Sequence, residues 1–264
     1  MRPLHGIPIL LKDNIFTDDR TSASTGSYAL LGSKAPHEAT VAQKPRESGA
    51  ILLGKVNLSE WANFRPGPNN GSNGQNVRDG QTYSAFFPGT ESEGSSSGSA
   101  VSSILGLAFA TVGTEADGSI VSPAQRSIVV GVAPTTGLIG RDGIIPLSNR
   151  QDTVGPLART VMFAAHLLTA ITRLDGLRIG VPHEAITDAD ETVMKQFERA
   201  LELLEMAGAT IADNVRFSGA KEWAEWDGPS KRAYLRAELK HSTEGWLKGL
   251  VENPNSIHSL SDII

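Results

Sequence analysis

The chain has 264 residues, long enough to bury a core of its own, and its 39% apolar and 20% charged content is ordinary for a globular protein. A net charge of −5 gives no electrostatic handle on nucleic acid or on an anionic membrane surface. The absence of cysteine removes disulfides and thiol nucleophiles and fits a cytoplasmic protein, and no apolar run reaches the length of about 18 residues that a membrane span needs.

The first residues, Met1-Arg2-Pro3-Leu4-His5-Gly6, lack the apolar core of a signal peptide, so the sequons at Asn57 and Asn70 read as chance. Residues 7–16 are short and apolar and read as a buried strand ending in Lys12-Asp13-Asn14. Residues 17–36 are polar and rich in Gly and Ser, hence loop. Residues 39–48 suggest a helix stopped by Gly49, with Pro45 an unfavourable choice inside it. Residues 50–54 read as a buried strand from Ile51, Leu52 and Leu53, and residues 55–61 open a further helix. The polar stretch 65–87 is longer than most connections and leads directly into a Ser-rich loop, so it is expected to help line a site.

After Ala100 the pattern gives a helix, then strands at 107–112 and 128–132. Residues 159–171 are amphipathic, with Val161, Ala164, Ala165, Leu168 and Ile171 at helical spacing. A strand at 177–181 ends at Pro182. Residues 188–207 form the clearest helix, with Val193, Phe197, Ala200, Leu201 and Leu204 on one face and Gly208 closing it; a strand at 209–212 follows. Residues 221–252 are charged and helical, and Trp223, Trp226 and Trp246, with Trp61, read as packing residues. Strands alternating with helices indicate an α/β fold with parallel pairs.

Residues 94–123 carry the chemistry. Two small-residue loops, 94–99 and 113–119, flank an apolar run from Ala100 to Val112. Gly lets backbone come close to a ligand, and Ser presents hydroxyls. Six Ser and two Gly within 93–103 could instead be a linker, but linkers do not lead into buried segments. Gly94-Ser95-Ser96-Ser97-Gly98 formally matches the G-x-S-x-G nucleophile elbow, with Ser96 as nucleophile. That elbow needs a strand directly before it, and Thr90-Glu91-Ser92-Glu93 is not one. The histidine it needs late in the chain would be His166, His183, His241 or His258, none in a loop that favours the role. Neither GxxxxGK[ST] nor HExxH occurs, and His37-Glu38 and His183-Glu184 are isolated pairs.

Three stretches in this order resemble the amidase signature family of serine hydrolases: Gly6-Ile7-Pro8 followed by Lys12-Asp13, the Gly/Ser loop 94–100, and Gly113-Thr114-Glu115 followed by Gly118-Ser119-Ile120 and Pro123. The wording is closest to fungal members. The resemblance implies an amidase signature fold, with a mixed, largely parallel β-sheet core flanked by helices, and cleavage of carboxylic amide C–N bonds without metal or organic cofactor. It implies Ser119 as nucleophile forming an acyl-enzyme, Ser95 as proton relay after a cis-type peptide bond, and Lys12 as base. The backbone N–H groups of Ala116, Asp117, Gly118 and Ser119 would form the oxyanion hole. Lys12 would have to be neutral, so burial must lower its ordinary pKa of about 10.4. Three positions depart from the family wording: Asp117 where a glycine is frequent, Glu115 where Asp is common, and Val121 where many members carry Arg.

The expected partner is a small amide substrate. A glutaminase-type subunit of a tRNA-dependent amidotransferase, sharing the same three residues, is the alternative enzyme; a truncated inactive pseudoenzyme is the alternative without activity. Residues 1–264 read as a single domain, incomplete at both ends relative to the family. A sheet lacking strands would present an unpaired edge, so the chain by itself is expected to be marginally stable, poorly soluble or inactive.

Overall fold

The apolar run after Gly6 becomes strand β1 (Pro8–Lys12) in the computed structural model, which describes residues 4–65, 72–172, 178–181, 183, 190–206, 210–213, 215–216, 218 and 220–263. Gly6 at φ +75 makes the turn into β1, a conformation that glycine adopts without penalty. Helix α1 (Thr40–Glu47) follows, with Pro45 buried in its last turn, then β2 (Ile51–Val56). A small hairpin of β3 (Gln75–Asn76) and β4 (Gly80–Gln81) lies in the long polar stretch. The small-residue region yields α2 (Ser97–Ile104), β5 (Ala110–Glu115), α3 (Val121–Arg126) and β6 (Val130–Gly131). β7 (Thr153–Ala158) and α4 (Val161–Ile171) come next.

These elements form one sheet in the order β2-β1-β5-β7-β6. β1 pairs in parallel with both β2 and β5, and β7 runs antiparallel to β5 and to β6. Four of the five strands therefore run the same way, which is the mixed, largely parallel α/β sheet that the motifs implied. Alternate residues face opposite layers. Ile9 and Leu11 of β1, Ala110 and Val112 of β5, and Val154 and Ala158 of β7 pack with Val41, Ala42, Ala164, Leu167 and Ile171 of α1 and α4. On the other face, Leu157 packs with Ala100 of α2 and with Ile120 and Ala124 at α3.

Several local expectations are corrected. β2 is an edge strand, and Ile51 and Leu53 are 51% and 52% exposed, because no described strand pairs beyond it. Residues 60–63 form a short 3₁₀ turn with left-handed Trp61 and Ala62, not an α-helix. β5 begins at Ala110, and Leu105 and Leu107 are exposed in the turn before it. α4 buries Ala164, Leu167 and Ile171 while Val161 and Ala165 face solvent. β7 had no sequence signal, since Thr-Val-Gly-Pro-Leu-Ala carries two residues that strands avoid. The structure explains both. A Cβ on Gly155 would lie 1.8 Å from the Val132 carbonyl oxygen. The Pro156 carbonyl accepts from the Val132 N–H at 3.0 Å, so its donorless nitrogen faces the side where pairing with β6 ends.

The chain divides into two compact units, residues 1–172 with 235–264, and residues 173–234. The second contains the parallel pair β8 (Arg178–Gly180) and β9 (Thr210–Ala212), with α5 (Glu191–Met206) and α6 (Ala220–Glu225). On α5 Val193 is 59% exposed, and Phe197, Ala200 and Leu201 are half-buried. Trp226 is exposed. Helix α7 (Gly228–Lys248) enters the first unit at Leu235. There Trp61 is buried in a cluster with Phe16, Ile145 and Leu247, and Trp246 packs against it, as expected of packing residues. The expected features at Asn70, Leu177, Pro182, Gly208, and the side chains of Leu204 and Trp223, lie outside the described residues. No described helix is long and apolar enough to cross a membrane.

Candidate active site

The sheet brings the motifs together at one end. Lys12 closes β1 and Glu115 closes β5, two parallel strands, so both sit at the same carboxyl edge. β7 runs the other way, and its first residue Thr153 pairs with Glu115 at that edge. Sites in α/β sheets gather at such carboxyl ends because the loops there converge. A cleft of about 510 Å³ opens at this end, lined by Ser95 and Ser119 and by a wall that includes Ile144, Leu147 and Trp246.

Lys12 is fully buried under the cleft. Its Nζ donates to Ser95 Oγ at 2.7 Å, to Ser96 Oγ at 2.9 Å and to the Thr114 carbonyl at 3.1 Å. Burial lowers its pKa to about 7; the nearby carboxylates of Glu115 and Asp152 work in the opposite direction. The peptide bond between Gly94 and Ser95 is cis.

Counting donors and acceptors separates the two serines that touch Lys12. Protonated, the amine donates to all three neighbours; once it loses a proton it has two hydrogens and one lone pair, so one of the three must then donate to it. The Thr114 carbonyl cannot. Ser96 Oγ already gives its proton to that carbonyl at 3.0 Å, and also accepts from the Thr114 N–H at 3.3 Å. Ser95 is left as the hydroxyl able to hand a proton to Lys12. Ser96 is wholly buried and does not line the cleft, which removes it as the nucleophile of an elbow. Its N–H donates to the Ser119 carbonyl at 3.1 Å, tying the two small-residue loops together.

Ser119 is 7% exposed, at the cleft surface. Its loop is shaped by Glu115, whose Oε2 accepts from the N–H groups of Ile120 at 2.6 Å and Val121 at 3.0 Å. Gly118 sits at φ +80 within the turn. Among the described residues, the N–H groups of Ala116, Asp117, Gly118 and Ser119 donate to no other group of the chain, and Ala116 and Ser119 line the cleft. The longer Glu at position 115 is thus the strap that turns this loop back on itself.

Nothing in the sequence pattern marks Asn14, Thr114, Arg141 or Asp152 for a role of its own. Asn14 Nδ2 donates to Thr114 Oγ1 at 2.9 Å beneath the cleft. Arg141 donates to the carbonyls of Ser148, Asn149 and Asp152, fixing the cleft wall. Asp152 lines the cleft, and burial raises its pKa to about 6. Of the late histidines, His166 and His258 are exposed, and His183 pairs with Asp213 at 2.5 Å in the second unit. His241, on α7, reaches the cleft but makes no hydrogen bond to either serine among the described residues.

The amidase family model matches residues 1–175, two-thirds of the chain. The chain belongs to the amidase family. A putative amidase of the fungus Arthroderma benhamiae is 42% identical over 99% of this chain and 48% of its own length. The solved peptide amidase of Stenotrophomonas maltophilia superposes with a TM-score of 0.74 at 39% identity, covering 98% of this chain and 56% of that one. A glutamyl-tRNA(Gln) amidotransferase subunit from Natronomonas pharaonis is 35% identical over 80% of this chain and 54% of its own. This member of the family spans about half the length of such relatives.

The proton arrangement at Lys12 also gives an expected result for this member of the family. Ser96→Ala removes one acceptor from Lys12 and one donor from the Thr114 carbonyl, both buried, which costs about 1–3 kcal/mol of stability. Because Ser95 stays, turnover should fall by about tenfold or less. A urea melt and an amide-hydrolysis assay check it; complete loss of turnover in a folded Ser96→Ala variant would overturn the assignment of Ser96 as a support.

Proposed function

We propose that this chain is a serine hydrolase that cleaves carboxylic amide C–N bonds through Ser119, Ser95 and Lys12. The observation that carries the reading is the buried Lys12 amine held at 2.7 Å from Ser95, with Ser96 spent on Thr114. A serine hydroxyl needs an adjacent base to attack a carbonyl. Ser119 Oγ adds to the amide carbon as its proton passes to Ser95, and the Ser95 proton passes to Lys12. The carbonyl oxygen, now negative, accepts from the free N–H groups of Ala116, Asp117, Gly118 and Ser119; each such donor contributes about 10²–10³ in rate. Collapse breaks the C–N bond, and the leaving amine takes the proton back along the same path. Water then attacks the acyl carbon as its proton passes through Ser95 to Lys12; collapse breaks the bond to Ser119 Oγ, which takes that proton back through Ser95, and the carboxylic acid leaves.

The substrate in this reading is a small amide, in keeping with the similarity to a peptide amidase. The similarity to an amidotransferase favours glutamine as a second reading, in which ammonia would be released to another protein of the complex.

The test is the pH dependence of ammonia release from peptide amides and from glutamine. Lys12 must lose its proton to act, so the rate should rise from acid pH through about 7 and stay high at alkaline pH. Lys12→Ala should remove that limb. Release from glutamine alone would select the second reading. A profile set by a histidine, and abolished by replacing one of the six His, would refute both.

A further inference from the structure

We propose that Ser59 is a positioning residue for Ser95, the proton relay of the reaction proposed above, and that the β3–β4 hairpin acts on the site through it. None of the described residues from 72 to 93 lines the cleft, so this polar stretch does not act by touching a substrate there. It meets the Ser-rich loop through residues 57–59, which leave the carboxyl end of β2.

Two backbone bonds fasten that segment to the loop on either side of the relay. The Ser59 N–H donates to the Ser95 carbonyl at 3.2 Å, and the Asn57 carbonyl accepts from the Gly98 N–H at 3.0 Å. The Ser59 side chain adds a third hold. Its Oγ accepts from the Gly74 N–H, just before β3, at 2.8 Å. The same oxygen fills the space beside Gly94, where a Cβ would overlap it. Gly94 is not in the left-handed region, so the glycine answers to want of room. Ser59 and Ser95 are both buried. The hairpin also grips the neighbours of Ser59: Asn57 Nδ2 donates to Thr82 Oγ1 at 2.9 Å, and Asn76 Nδ2 to the Leu58 carbonyl at 2.8 Å.

In the proposed reaction Ser95 has two partners to serve. Its Oγ lies 2.7 Å from Lys12 Nζ, and it must also take the proton of Ser119. Lys12 is carried on β1, between β2 and β5, so the relay has to be held in place against a fixed strand. A misplacement of about 1 Å at a reacting group costs on the order of 10² in rate. Without the Ser59 oxygen, the Gly74 N–H loses its acceptor and space opens beside Gly94, so the backbone that carries Ser95 is free to shift. A residue that only packs would lower the melting temperature and leave the turnover of the folded protein alone.

The experiment is steady-state hydrolysis of a peptide amide by Ser59→Ala, assayed well below its melting temperature. The expected result is a fall in kcat of about 10- to 100-fold with KM changed by less than about threefold. In Gly94→Ala the added methyl meets Ser59 Oγ, and kcat should fall by about 10²-fold or more; adding Ser59→Gly makes room for it and should recover about tenfold. Crystal structures of the parent and of Ser59→Ala should show the Lys12 Nζ–Ser95 Oγ separation lengthening beyond about 3.5 Å in the variant, out of hydrogen-bond range. A parent-like kcat in a cooperatively melting Ser59→Ala protein overturns the proposal and leaves Ser59 a packing residue. If Ser59→Ala does not fold, a parent-like kcat in Ser59→Cys, whose larger sulfur presses on Gly94, overturns it equally. If the parent itself hydrolyses no amide, the proposed function falls, and the Lys12–Ser95 separation decides for Ser59: lengthened in the variant it upholds the positioning role, unchanged it overturns it.

Discussion

Replacing Ser119 by Ala is expected to reduce amide hydrolysis by about 10⁴-fold or more, to the level that binding and the backbone donors sustain alone. In the proposed mechanism the loss follows from covalent chemistry: without the hydroxyl there is no oxygen to form the acyl-enzyme, and Ser242, which also lines the cleft, is buried and has no hydrogen bond to Lys12 or Ser95 among the described residues. Ser96 is buried with its proton committed to Thr114, and Ser95 faces Lys12. If the three groups act as one unit, as the proposed mechanism requires, Ser95→Ala and Lys12→Ala should each cost about as much as the nucleophile, and the double variants little more. Ser119→Ala deletes one atom at the cleft surface, so its thermal melt should match that of the parent. A fluorophosphonate probe should mark Ser119, located by peptide mass spectrometry. Labelling at Ser96, or turnover surviving in Ser119→Ala, would revive the nucleophile-elbow reading.

The second large effect is on stability, and it comes from Lys12. Its amine is fully buried, and burial moves its pKa from 10.5 to about 7. Between these values the unfolded chain holds a proton that the folded chain does not, so stability rises with pH across that window. The penalty against folding is full below about 7, shrinks as pH rises, and is gone above 10.5. At about 1.36 kcal/mol per pK unit, the whole span is worth about 5 kcal/mol, comparable with the net stability of a domain. Lys12→Met, similar in shape and uncharged, removes the titration while also stranding Ser95 and Ser96 acceptors, so its stability at one pH is not diagnostic. The difference between the two proteins is. Urea melts from pH 7 to 10 should show the parent gaining on Lys12→Met by about 1.4 kcal/mol per pH unit. Asp152, whose pKa is about 6, titrates below this window and does not contribute to the slope. Parallel curves for the two proteins would mean that Lys12 keeps its proton in the fold, and would remove it as the base.

Both effects rest on residues whose types are plain in the chain and whose neighbours are not. The alternation of helices and strands, the run from Ile7 into Lys12, and the wording around Ser95 and Ser119 were legible because each is a contiguous pattern. A residue's type and its near neighbours are enough to mark an apolar strand or a glycine that permits a tight turn. The same holds for the family, whose motifs are three short strings. What those strings could not specify were the distances between them: 83 residues separate Lys12 from Ser95, yet the sheet closes that gap to 2.7 Å.

The sequence by itself therefore determined the α/β class, the family, and the residue types available for catalysis. The tertiary structure alone decided how they are placed and what they bond to. Ser95 and Ser96 are adjacent and chemically identical, and they part company because the Thr114 carbonyl claims one proton and leaves the other. β7 was illegible because Gly155 and Pro156 disfavour a strand anywhere except where Val132 crowds one and the end of β6 faces the other. β2 looked like a core strand because apolar content cannot tell a central strand from an edge; with no described strand pairing beyond it, Ile51 and Leu53 are exposed. Asp152 looked like one acid among 29 acidic residues, and its place in the cleft wall arises where an antiparallel strand delivers it to the carboxyl ends of two parallel ones. Local patterns fix chemistry along the chain, whereas burial, charge and proton direction are properties of the neighbours that only folding supplies.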